Sequence, residues 1–184
     1  MKRIKILFSC DDAGVDDMIL AEMLRKYRIP SVFYVPVKTR ELMIGQITQL
    51  AGTRPNCEIC KETKDLFEIG GHTMTHPEDM KTLSQKELEY EIGECKKGLE
   101  EIIKTTAGER KVKKFCYPSG RFNERVKEVV KKAGFTEART TGALNTQFPT
   151  DPFETAPTIH IHPEKKHYGD RTWKEWAEEK LTEV

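Results

Sequence analysis

Ile4-Lys5-Ile6-Leu7-Phe8-Ser9-Cys10 runs straight into Asp11-Asp12-Ala13-Gly14, and this junction decides how the chain is read. A short, apolar, β-prone run behaves as a buried strand, and its end is where the chain passes into a loop. Carboxylates belong at such an end rather than inside it. One of the two aspartates has a plainer alternative, which is to cap a helix that starts near Val15.

The arrangement recurs further along. Leu66, Phe67 and Ile69 form a second apolar strand ending in Gly70-Gly71, and His72-Thr73-Met74-Thr75-His76 follows. Histidines four apart point the same way on a helical turn, so both rings reach one divalent ion, and imidazole is a good ligand for zinc, cobalt, nickel or iron. Two strand ends therefore carry ligand-type residues.

The remaining pattern alternates between strand and helix. A strand over 3–10, a helix over 15–28 and a strand over 31–35 make a βαβ unit. A helix over 41–51, a strand over 65–70 and a long helix over 84–104 follow, the last opened by a Ser84/Glu87 capping box. A strand over 112–117, a helix over 123–132, strands over 135–139 and 157–161, and a helix over 171–182 complete an α/β chain. Residues 1–184 read as one domain without internal repeats or low-complexity tracts.

Four ordered motifs carry a resemblance: Ser9-Cys10-Asp11-Asp12, Gly71-His72-Thr73-Met74-Thr75-His76-Pro77, Phe115-Cys116-Tyr117-Pro118-Ser119-Gly120, and His162-Pro163. In these the chain resembles the polysaccharide deacetylase family, also called the NodB-homology or carbohydrate esterase 4 group. The resemblance implies a distorted (β/α) barrel. It also implies that Asp11 is the general base, that Asp12, His72 and His76 bind the metal, and that a late histidine is the general acid. A chain of 184 residues is short for a complete barrel, so a distorted or incomplete (β/α)7-type barrel is expected.

The chemistry of these residue types agrees. One carboxylate and two imidazoles leave open positions on an ion, as a catalytic site requires. Zn2+ is the first expectation for the single divalent ion, with Co2+ or Ni2+ as alternatives. His162 ends the stretch Thr158-Ile159-His160-Ile161 and is the preferred proton donor. His160 shares its side of that predicted strand, because side chains alternate. Tyr117-Pro118-Ser119-Gly120 supplies a tight turn and a backbone donor for an oxyanion.

Two departures from the family pattern stand out. Its third motif carries an arginine that pairs with the base aspartate, where this chain has Cys116, and Ser119 takes the aromatic position. Arg139 and Arg121 are the available replacements, and Arg139 is preferred as the charge beside Asp11. The fourth motif normally holds a tryptophan, and Ala138-Arg139-Thr140-Thr141-Gly142 has none.

Composition narrows the partners. Thirty-one basic against thirty acidic residues leave a net charge of +1, which offers no footprint for nucleic acid or an anionic membrane. Met1-Lys2-Arg3 leads directly into the first strand, so neither a leader nor a membrane span is expected and the chain reads as cytoplasmic. Its five cysteines then read as reduced thiols, with Cys57-x-x-Cys60 in an ordinary loop and a local disulfide or metal clip as the alternative. Trp173 and Trp176 read as an apolar stripe of the last helix. Open sheet edges would gain from a partner subunit, so a homo-oligomer joins a carbohydrate or small-molecule substrate among the expected partners.

The function that the resemblance implies is metal-dependent removal of an N-acetyl group from an N-acetylated sugar or polysaccharide, releasing acetate. The alternatives are hydrolysis of another non-peptide C–N bond in a small molecule, and a non-catalytic sugar- or metal-binding module.

Overall fold

The computed structural model describes residues 7–104, 110–142, 149–161 and 169–182. Five parallel strands, β1 (Phe8–Cys10), β2 (Ser31–Val35), β3 (Phe67–Gly71), β4 (Lys114–Cys116) and β5 (Glu137–Arg139), lie in chain order in one sheet. Helices α1 (Asp17–Lys26), α2 (Ile44–Leu50), α3 (Glu58–Thr63), α4 (Gln85–Glu89), α5 (Cys95–Ile102) and α6 (Glu124–Lys132) fill the crossovers, and α7 (Trp173–Thr182) follows. Parallel neighbours require such crossovers, and a curled sheet of five strands in sequential order is an incomplete (β/α) barrel.

β2 explains where the core lies. All five of its residues are buried. Phe33 and Val35 face the helices and join the main core, whereas Val32 and Tyr34 point to the opposite face and cluster with Cys116. Phe33 and Phe67 meet edge-on across β2 and β3 with ring centroids 5.3 Å apart, so truncating either to alanine should cost about 3–5 kcal/mol. Tyr34 needs room on the inner face. A Cβ at Gly70 would stand 2.4 Å from its ring, so glycine is what lets the ring lie against β3.

Three expectations are corrected. No strand forms over 157–161; a single parallel bridge between Arg139 and Thr155 occupies the edge of β5 instead. The alternating isoleucines that suggested a strand are not packed as one, and Ile161 is 53% exposed. Cys57 and Cys60 belong to the start of α3 rather than to a loop. The helix over 84–104 is interrupted by a π turn, Tyr90–Glu94, between α4 and α5, although the Ser84/Glu87 capping box opens it as expected. Trp176 is buried with the Arg171 guanidinium 4.4 Å from its ring. Among the described residues no helix is long and apolar enough to cross a membrane.

Candidate metal centre

The loop after β1 turns on itself. Asp12 and Ala13 both adopt left-handed backbone conformations, with φ of 73° and 53°, which non-glycine residues adopt only where the surroundings hold them. Here the holding is done by the segment before α2: Glu41 and Leu42 N–H both donate to Ala13 O at 3.1 Å. Glu41 Oε2 in turn accepts from Val15 N–H at 3.0 Å. Neither Asp11 nor Asp12 caps α1. Asp17 N–H donates to Gly14 O at 3.1 Å, and the residue preceding the helix is Asp16.

His72 and His76 converge without a helix, which corrects the geometry expected from their spacing. The chain after β3 is a loop in which Thr73 and His76 are left-handed, with φ of 70° and 55°. Val37 and Lys38 N–H donate to Thr73 O and Met74 O at 3.1 and 2.8 Å, and Thr73 Oγ1 accepts from His76 N–H at 3.0 Å. The other clamp is buried Glu91, from the π turn. Its Oε2 accepts from Met74 and Thr75 N–H at 2.9 Å each, and Oε1 accepts from the Thr75 hydroxyl at 2.7 Å. A π turn shifts the helical phase locally and so can aim a polar residue inward among Leu88, Ile92, Cys95 and Leu99. Replacing Glu91 with alanine would leave those donors unmet. It should cost about 2–3 kcal/mol of stability and weaken divalent-metal binding about 10–100-fold, as read by urea unfolding and metal titration. An unaltered metal affinity would mean that the loop holds its shape without this carboxyl group.

The three ligand-type side chains meet at one point. Asp12 Oδ1 stands 3.4 Å from His72 Nε2 and 3.2 Å from His76 Nε2. Ligands about 2.1 Å from a shared tetrahedral ion stand about 3.4 Å apart, so these spacings suit a coordination edge. His72 Nδ1–H donates to Cys116 O at 2.8 Å, which holds the ring with Nε2 turned toward Asp12. The hydrogen bond with His72, ahead of burial and the nearby imidazoles, holds the Asp12 carboxyl below the usual range. His72 is 2% exposed whereas the Asp12 side chain is 67% exposed, so one wall of the cluster is rigid and the other open to solvent. The donor set therefore fits a divalent cation. Asp11, His72 and Cys116 also lie close together, but burial pushes the Cys116 thiol up, so it stays protonated and is the weaker donor set.

Asp11 lies beside this cluster and is contacted through both carboxylate oxygens by Arg139 Nη2. The same guanidinium nitrogen lies 3.2 Å from Cys116 Sγ, and its carbon stands 5.3 Å from the Tyr34 ring centroid. Register explains the substitution: Cys116 in β4 is paired with Arg139 in β5, so a guanidinium missing at position 116 is supplied from the adjoining position on the neighbouring strand. Arg121 is directed elsewhere, toward Glu78 O at 3.4 Å.

Tyr117 is not available as an oxyanion donor. Its N–H donates to Arg139 O at 3.0 Å, and its buried ring stacks on Phe122 with centroids 4.4 Å apart. Ser119 is exposed in the following turn, with φ of 52°. The turn is fixed by Gly120, φ 65°, where a Cβ would fall 2.1 Å from Thr141 Oγ1. His162 lies outside the described residues, and His160 is half-buried.

Asp17 is a site neighbour that the sequence did not single out. Its Oδ2 is buried without a hydrogen-bond partner among the described residues. Burial first, then the charges of Asp11, Asp12 and Asp16, pushes its carboxyl from 3.8 up to about 7. A carboxyl raised in the folded state stabilises fully below its unfolded value and loses that contribution as pH climbs through its folded one. Metal-free chain should therefore lose stability between 3.8 and about 7 on account of this group. Asp17→Asn should flatten that interval, so that melting curves of variant and parent in a chelator diverge increasingly toward neutral pH. A pH-independent difference would assign the effect to another group.

Known proteins resemble this chain in sequence pattern and in fold. A family model described as polysaccharide deacetylase matches residues 5–138. No curated protein matches the chain. Among solved structures, IcaB from Ammonifex degensii has a TM-score of 0.66 at 20% identity, over 94% of this chain and 71% of that one. A polysaccharide deacetylase from Bacillus cereus has a TM-score of 0.66 at 20% identity, over 92% and 49%. The Streptococcus pyogenes deacetylase PplD, in complex with acetate, has a TM-score of 0.62 at 18% identity, over 92% and 67%. The chain thus spans about half the length of the Bacillus protein.

Proposed function

Because the chain belongs to the polysaccharide deacetylase family, we propose that it is a metal-dependent deacetylase that hydrolyses the N-acetyl group of an N-acetylated sugar or polysaccharide and releases acetate. The observation that carries this reading is the meeting of Asp12, His72 and His76 beside an Asp11–Arg139 pair.

Asp12 through Oδ1, and His72 and His76 through Nε2, would hold one divalent ion; imidazole and carboxylate donors suit Zn2+ first, with Co2+ or Ni2+ as alternatives. Bound there, the ion supplies Lewis acidity, lowering the pKa of water and polarising an acyl carbonyl. Asp11 accepts the proton of the attacking water as the new C–O bond forms. Arg139 holds the Asp11 carboxylate in place and offers it a counter-charge, and Tyr34 and Cys116 hold Arg139. Ser119, exposed in the turn after β4, would offer its N–H to the developing oxyanion. Breaking the C–N bond requires a proton on the departing amine, and His162 is assigned that role.

The test is acetate release from N-acetylated chitooligosaccharides by chain stripped of metal and then resupplied with Zn2+, Co2+ or Ni2+. Release should vanish on stripping and return on resupply. Metal uptake without acetate release from any N-acylated sugar would favour a binding module instead.

A further inference from the structure

One pair of nucleophilic side chains takes no part in the chemistry above. Cys57 immediately precedes α3 and Cys60 lies in its first turn, so both thiols face the same side of one turn. Such spacing is close to what a disulfide spans, with Cα atoms about 4.4–6.8 Å apart. Cys60 is buried, with Sγ 3.7 Å from Gln49 O, and the Cys57 thiol lies near enough to perturb it. Cys57 is half-buried and opens on a cleft of about 490 Å³ that both cysteines line together with Arg54, Lys61 and Lys64. Lys61 is paired with Glu58 at 3.0 Å; Arg54 and Lys64 have no carboxylate partner among the described residues, which gives the cleft a positive rim. A metal clip is the poorer assignment, because no group of three metal-ligating residues among those described includes this pair.

We infer that Cys57 and Cys60 form a reversible dithiol–disulfide site that exchanges with small anionic disulfides, Cys57 attacking and Cys60 resolving. The Cys57 thiol loses its proton to solvent and its sulfur attacks one sulfur of the external disulfide; a mixed disulfide forms as the external S–S bond breaks, and one thiolate leaves. Cys60 then gives up its proton and attacks the Cys57 sulfur; the internal disulfide forms as the mixed one breaks, and the second thiolate leaves. Two electrons pass from the cysteine pair to the external disulfide, and the two released thiolates take up two protons. The order follows from access and ionisation. Burial, then the neighbouring Cys57 thiol, pushes the Cys60 thiol up to about 11, so it attacks only once a mixed disulfide is held next to it.

The test treats the reduced full chain with oxidised glutathione, which is anionic, or with cystamine, which is cationic, then alkylates free thiols and maps the products by mass spectrometry. The peptide carrying both cysteines should lose two hydrogens and escape alkylation, and a dithiol reductant should reverse this. Glutathione disulfide should react faster than cystamine at equal concentration and low salt, and Arg54→Gln with Lys64→Gln should erase that preference. A Cys60→Ser variant should accumulate glutathione on Cys57. A lasting glutathione adduct on the parent chain, alkylation of both cysteines after oxidation, or a cystamine rate at least as high would each overturn the inference.

Discussion

Asp11→Asn is expected to lower acetate release by about 10²–10⁴-fold, the range for loss of a general base, while leaving metal affinity unchanged. Asparagine has the shape of aspartate and still offers an oxygen to Arg139, so the Asp11–Arg139 contact has a substitute and the neighbouring Asp12–His72–His76 cluster is undisturbed. What it lacks is a site that can take up the proton of the attacking water. The comparison of kcat with zinc affinity separates the two roles: a variant that turns over within a few-fold of the parent would show that some other group takes the proton.

Arg139→Met is expected to cost both activity and stability. The Asp11 and Arg139 side chains are 27% and 12% exposed, so removing the cation strands a carboxylate that is largely shielded from water. Breaking a fully buried pair costs about 3–5 kcal/mol, and the partial exposure reduces that to about 1–3 kcal/mol here. Activity should fall about 100-fold, as when another positioned charged group is lost. The register pairing of Cys116 with Arg139 allows a sharper form of the same experiment. Adding Cys116→Arg to an Arg139→Ala chain returns the guanidinium from the adjoining strand, and part of the activity should return with it. Stability loss with undiminished kcat would make Arg139 a brace rather than a participant.

Much of this site was legible because strand ends are legible. Apolar runs closing on Asp11-Asp12 and on Gly71-His72 fix where β1 and β3 stop, and parallel strands in sequential order bring those stops to the same end of the sheet. Arg139 reaches Asp11 for the same reason, since it ends β5 whereas Arg121 follows a turn. Spacing alone misled where the backbone is irregular. His72 and His76 look helical at four apart, yet left-handed Thr73 and His76 bring the rings together from a loop, and such conformations leave no trace in a sequence when the residue is not glycine. Glu91 was hidden for a related reason. In a helix rich in Lys and Glu it reads as one more solvated charge, and the phase slip of the π turn that buries it is a tertiary event. Its one visible sign is a position beside Ile92 in the buried stripe. Tyr117 shows the limit of reading a motif by composition: the backbone N–H expected to face an oxyanion instead donates to Arg139 O, and the ring packs against Phe115 and Phe122.

The most direct test of the central claim is a calorimetric titration of Zn2+ into metal-stripped chain and its Asp12→Ala, His72→Ala and His76→Ala variants. One ion per chain should bind the parent, and each substitution should remove that binding while the far-ultraviolet dichroism of the fold persists. Equal zinc affinity in all four proteins would contradict a shared centre made by these three side chains.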